Sequence, residues 1–113
     1  MIGRATYRPG MVLGPRDVYA GRGRGRVHMN SGLAPGTWGW LGNPYDEKIY
    51  GLERCIAMFA EAFIAKLESD ATFKAVLDEI KLAHRRGERL TLVCWCQPGS
   101  PCHTQVIACW LDS

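Results

Sequence analysis

The clearest alternation of apolar and polar positions lies between Arg89 and Leu111. Leu90, Leu92, Cys94 and Cys96 fall on one side at a spacing of two, and Thr91, Val93 and Trp95 on the other. Both sides are largely apolar, which predicts a strand covered on both faces. The run stops at Gln97-Pro98-Gly99. Ser100 then reads as a helix N-cap, with Pro101 at the helical position where its missing N–H costs nothing. Val106, Ile107, Trp110 and Leu111 continue as an apolar helical stripe. The unit is strand, short loop, helix, and it puts Cys102 and His103 in the helix's first turn. Unpaired N–H groups and the positive end of the helix dipole favour an anion there and lower a thiol's pKa.

Two further helices follow from 3.6-residue periodicity. From about Gly51 to Glu68, Leu52, Ile56, Phe59, Ala60, Phe63, Ile64 and Leu67 form one stripe. Asp70 then predicts the N-cap of a helix that buries Phe73, Val76, Leu77 and Ile80 and stops at Gly87, with His84 exposed in its last turn. Upstream the pattern is weaker. Residues 1–17 carry Gly3, Pro9, Gly10, Gly14 and Pro15 and read as an irregular segment with a short extended piece at Met11 to Leu13. Val18-Tyr19-Ala20 reads as a short strand. Residues 27–50 are too apolar for disorder and too broken for regular elements, so they predict a long ordered loop, a feature that is usually functional.

A length of 113 residues fits one domain, 1–113. The fold class expected is α/β, a small single-domain Rossmann-like three-layer fold with a mostly parallel sheet. No apolar run is long enough to span a bilayer and the N-terminus lacks a signal-peptide core, so a soluble cytoplasmic protein without membrane contact is expected. The net charge is a modest +3, but up to Arg26 there are six arginines against Asp17 alone. That asymmetry points to an anionic partner; arginine-rich loops that keep a small domain soluble are the plainer alternative. Five cysteines make no regular disulfide framework. Cys55 and Cys109 sit on or beside apolar stripes as small core residues, whereas Cys94, Cys96 and Cys102 cluster. A reducing compartment follows.

Gly21-Arg22-Gly23-Arg24-Gly25-Arg26 alternates the residue that lets a backbone approach closely with the side chain best suited to phosphate. It reads as a ligand loop, a hairpin tip or a nucleic-acid arm; it is not a dinucleotide fingerprint, since the third glycine is absent. The Asn43 amide either closes the Asn43-Pro44 turn or faces a ligand. Trp38 and Trp40 anchor the long loop in the core, or stack on a base. Arg54 lies in the first turn of its helix, where a cation opposes the dipole unless it meets an anion.

The chain resembles an uncharacterised family, the domain of unknown function numbered forty-three twenty-six, found in bacteria and their phages. The resemblance rests on V-Y-A-G-R at Val18 to Arg22, G-N-P-Y at Gly42 to Tyr45, Arg54 with its helix, and L-V-C-W-C with P-C-H at Leu92 to His103. The insert between Arg22 and Gly42 is longer than in the pattern. The resemblance implies an α/β fold and no particular activity.

In a parallel sheet the loops after Ala20 and after Cys96 share one edge, where ligands bind. That brings Gly21, Arg22, Asn43, Cys96, Ser100, Cys102 and His103 toward one crevice, with Arg54 as a second clamp. Three functions fit. The crevice binds a phosphorylated small molecule, a nucleotide or nucleotide-derived signal, and sequesters or senses it without a cofactor. Alternatively it belongs to an enzyme acting on a nucleotide or nucleoside, a hydrolase or a glycosidase or transferase, with Cys102 as nucleophile or His103 as acid–base group. Adjacent helical residues diverge by about 100°, which argues against a Cys102–His103 dyad. Thirdly, Cys94, Cys96, Cys102 and His103 hold zinc as a structural clip in a module that meets nucleic acid, at a spacing unlike the usual Cys-x-x-Cys. A homo-oligomer completing the pocket is compatible with each.

Overall fold

A computed structural model describes residues 2–96 and 100–113. Strand β3, Leu90–Cys94, forms at the alternating run and is the central strand of the sheet, with Leu90, Leu92, Val93 and Cys94 all buried. Its neighbours are β1, Ile2–Thr6, and β2, Asp17–Tyr19, in the order β1-β3-β2. Both pair with β3 in parallel, Arg4 and Val18 each opposite Leu92. Strand β1 lies in the segment expected to be irregular. Its isolated Gly3 and Arg4 hide the alternation, and pairing with a strongly apolar partner supplies the order that local sequence does not.

Among the described residues four α-helices complete the fold: α1, Glu47–Tyr50; α2, Leu52–Ser69; α3, Ala71–Arg85; and α4, Thr104–Asp112. Helix α2 buries Cys55, Phe59, Phe63 and Leu67 and leaves Ile64 exposed, so its buried stripe is narrower than expected. Asp70 caps α3 by accepting from the Phe73 N–H at 3.0 Å, and Gly87 follows the helix at φ 87°. His84 is not exposed: its Nε2 lies 2.8 Å from Asp112 Oδ1, because α4 packs beside the end of α3. The class is therefore α/β with a three-stranded parallel sheet.

The two faces of the sheet differ. Leu90 and Leu92 join Phe59, Phe63, Phe73, Leu77, Ile107 and Leu111 in one core, which also takes Met29, Trp40 and Leu41 from the long loop. The register puts Tyr19 opposite Val93, on the other face. There Tyr19 stacks on Trp38 with centroids 3.5 Å apart, and Tyr7 meets Trp38 at 5.4 Å and Trp95 at 4.9 Å. Trp40 thus anchors the loop in the core while Trp38 covers the opposite face at 42% exposure. Among the described residues, no helix is long and apolar enough to cross a membrane.

Candidate functional site

The carboxyl ends of the strands meet at a cleft of about 630 Å³. The loop after β2 supplies Gly21 and Arg22, and the segment after β3 supplies Trp95, Cys96, Ser100, Pro101, Cys102 and His103. The long loop and the helices it leads into add Asn43, Tyr45, Asp46, Glu47, Lys48, Leu52, Cys55 and Ile56. Seven of the sequence candidates, Gly21, Arg22, Asn43, Cys96, Ser100, Cys102 and His103, therefore line one space. Arg54 is not among its lining residues; it is exposed, with its guanidinium 5.9 Å from the Tyr50 ring. The stretch from Tyr45 to Lys48 and Trp95 were not anticipated. An available signal was Asp46, which caps α1 by accepting from the Lys48 N–H at 2.9 Å.

Arg22 and Asn43 build the wall of the cleft. Arg22 donates from Nε to the Asn43 carbonyl at 2.7 Å and from Nη2 to the Tyr45 carbonyl at 2.8 Å. Asn43 Oδ1 accepts from the Tyr45 N–H at 3.0 Å, and its Nδ2 meets Cys55 Sγ at 3.2 Å. The Asn43 amide thus closes its own turn. Arg22 is a fixed positive charge with part of its donor fork already used. It also fits closely: a Cβ on Gly42 would come within 3.0 Å of the Arg22 Cα. The rest of the arginine loop turns away as a 3-10 segment, Arg24–Arg26, in which Arg26 pairs with Asp46 at 3.1 Å. Asp46 is held below the usual carboxylate range, first by the Lys48 N–H and then by Arg26 and Arg22.

At the rim, Trp95 is 55% exposed but held in place. Its Nε1 donates to Tyr19 Oη at 2.5 Å, and that hydroxyl donates to the Arg22 carbonyl at 2.7 Å. Burial raises the Tyr19 pKa, opposed by the Trp95 hydrogen bond, so the phenol keeps the proton it donates. The turn needs glycine here: a Cβ on Gly21 would lie 2.5 Å from Tyr19 Oη and 2.9 Å from Trp95 Cδ1.

The floor carries the sulfur chemistry. Helix α4 starts at Thr104 with His103 as N-cap, later than Ser100-Pro101 implied. The Ser100 carbonyl accepts from Arg4 Nη1 at 2.7 Å, which ties that residue to β1, and Cys102 turns its side chain toward Cys94. The proposed turn at Gln97-Pro98-Gly99 lies outside the described residues. Because Cys102 and His103 precede the helix, they do not diverge as helical neighbours would: Cys102 Sγ is 3.6 Å from His103 Nδ1. His103 Nε2 donates to the Ala20 carbonyl at 2.6 Å. A carbonyl can only accept, so Nε2 carries a proton, and Nδ1 is the ring nitrogen that faces the Cys102 sulfur.

Cys94, Cys96 and Cys102 form a group whose sulfurs all lie within 4.8 Å of one another and which could hold a metal ion. Cys94 and Cys102 are 3.5 Å apart and unbridged. Thiol hydrogen bonds from Cys94 and then Cys96 push the Cys102 pKa down against the effect of burial, with help from His103. The same contacts with Cys102 push Cys94 and Cys96 up. The trio thus favours one negative charge, centred on Cys102. His103 stands beside this group rather than in it.

No curated protein and no solved structure matches the chain. A family model does match, over residues 4–113, and the chain belongs to the family described as Domain of unknown function (DUF4326).

Proposed function

We propose that the cleft binds a phosphorylated small molecule of nucleotide type, which the protein sequesters or senses. The observation that carries this is the meeting of the loops after β2 and β3 across one cleft of about 630 Å³ at the carboxyl ends of parallel strands. This is where open α/β sheets of the Rossmann-like kind take their ligands, and the volume suits a small molecule larger than a bare phosphate. Arg22 and Lys48 line it as cations, and the positive end of the α4 dipole favours an anion beside Ser100 and His103. The Trp95 ring at the rim offers a stacking face. Asp46 and Glu47 lie on the same wall and favour a ligand with hydroxyl donors, such as a ribose, beside its phosphate. Isothermal titration against mononucleotides, dinucleotides and base-free phosphates tests the proposal. Saturable binding of a nucleotide supports it, and no heat from any of them at about 1 mM removes it.

A second reading is an enzyme on a nucleotide or nucleoside. It is favoured by the 3.6 Å approach of Cys102 Sγ to His103 Nδ1 and by the lowered Cys102 pKa. In it, Nδ1 takes the thiol proton and the Cys102 thiolate attacks the anomeric carbon or a phosphorus of the substrate. The bond to the departing base or phosphate breaks with its electron pair on that group, and water or an acceptor then releases the enzyme-bound part. Turnover of a bound nucleotide that persists in both Cys102→Ser and His103→Ala would eliminate it. Zinc held as a closed clip by Cys94, Cys96, Cys102 and His103 draws less support. The group of mutually close ligand atoms contains the three sulfurs and not the imidazole.

A further inference from the structure

The convergence of Cys94, Cys96 and Cys102 has an implication independent of the nucleotide reading. A zinc ion bonded to three thiolates at about 2.3 Å in a tetrahedral arrangement places the sulfurs about 3.8 Å apart. Here they are within 4.8 Å of one another, and one pair is at 3.5 Å. Three backbone ties fix the segments that carry them. The Tyr7 N–H donates to the Cys94 carbonyl at 2.6 Å, Thr6 Oγ1 to the Cys96 carbonyl at 2.7 Å, and Arg4 Nη1 to the Ser100 carbonyl at 2.7 Å. Packing alone does not call for this arrangement, since a buried cysteine serves as a small hydrophobe wherever it lies. Cys94 and Cys102 are buried, whereas Cys96 is half-buried, and Cys96 and Cys102 both line the cleft.

His103 is placed differently. Its Nε2 is engaged by the Ala20 carbonyl, its ring meets the Phe59 ring at 4.9 Å, its Nδ1 lies 3.6 Å from Cys102 Sγ, and the group of mutually close ligand atoms does not include it. With three protein ligands and the cleft beside two of them, an ion held here would leave its fourth coordination position to a donor from the cleft. A closed structural site has four protein ligands; three plus an exchangeable position is the pattern of zinc sites that bind or activate a ligand.

We infer that Cys94, Cys96 and Cys102 form a three-thiolate zinc site with its fourth position open to the cleft, able to take a small nitrogen, oxygen or sulfur donor. On binding, each thiol still protonated loses its proton to solvent, so affinity rises with pH. A Cys102 thiolate committed to zinc is no longer a free nucleophile, which separates this site from the cysteine-enzyme reading.

Cobalt(II) is the probe. The untagged, reduced full chain is titrated with Co²⁺ and followed by its thiolate-to-cobalt charge-transfer absorption and its d–d bands, with imidazole then added. Zn²⁺ is used to displace the cobalt. The inference predicts one Co²⁺ per chain, tetrahedral d–d bands, displacement by an equivalent of Zn²⁺ and a d–d shift when imidazole takes the open position. Cys96→Ser is the chosen variant because Cys96 is the half-buried member, and it weakens binding at least about tenfold. Cys109→Ser, an exposed cysteine outside the cluster, leaves the spectrum unchanged. The site is refuted if no charge-transfer band appears with the folded wild-type chain, or if the band survives Cys96→Ser undiminished. Bands that do not respond to imidazole refute the open position.

Discussion

His103 shows how one residue joins the pieces of the site. Its Nε2–H gives the Ala20 carbonyl a partner at the end of β2, and its Nδ1 faces the Cys102 sulfur. Replacing it with Ala leaves that carbonyl without its donor at a buried position. His103→Ala should lower unfolding stability by about 1–3 kcal/mol from this cause alone, measured by urea denaturation; an unchanged midpoint would show that the carbonyl finds another partner. Thr104 should behave oppositely. Its buried Oγ1 has no hydrogen-bond partner among the described residues, so Thr104→Val removes a desolvated hydroxyl and should be neutral or stabilising. A loss above about 1 kcal/mol would mean the hydroxyl is satisfied in solution. These roles were not legible in the chain itself. The P-C-H run put Cys102 and His103 beside the cleft, but the carbonyl that fixes the imidazole comes from Ala20, far away in sequence.

At the level of elements, what could be read depended on whether the signal was local. Strand β3, helices α2 and α3 and the Asp70 cap were legible because alternation, 3.6-residue stripes and capping are short-range properties. Strand β1 was not, because its order comes from pairing with β3, and α4 began late because Ser100 is held by Arg4 from that same strand. The cap has a testable pH dependence. The Asp70 carboxyl is held below its ordinary value, first by the Phe73 N–H and then by Lys66. A lowered carboxylate pKa adds stability above the unfolded value, near pH 4, and loses it as pH falls through the folded value. Asp70→Ala should therefore melt lower than wild type at pH 7, with the gap narrowing below about pH 4. A gap that widens in acid would contradict the assignment. At the rim of the cleft, Gly21→Ala would push on Tyr19 Oη and Trp95 Cδ1. A destabilisation of about 1–3 kcal/mol is expected, as for other overpacked positions, together with a shift in tryptophan emission. Wild-type emission and stability would show that the loop yields.

At the scale of the whole molecule, the described residues form a three-stranded parallel sheet with a helical core on one face, an aromatic cluster on the opposite face and a cleft where the strands end. The placement of the cleft was readable once the strands were taken as parallel, since loops at the same end must then meet. Its composition was less so. Arg54 looked like a clamp because it opposes a helix dipole, but helix rotation turns it to solvent, while Arg22 is spent partly on the carbonyls of Asn43 and Tyr45. Calorimetric titration of the reduced protein with nucleoside mono-, di- and triphosphates, beside inorganic phosphate and pyrophosphate, is the most direct measurement of the central claim. The account predicts saturable binding of at least one nucleotide, tighter than either base-free phosphate and weakened about tenfold or more in Arg22→Gln. No binding of any nucleotide at about 1 mM would contradict it.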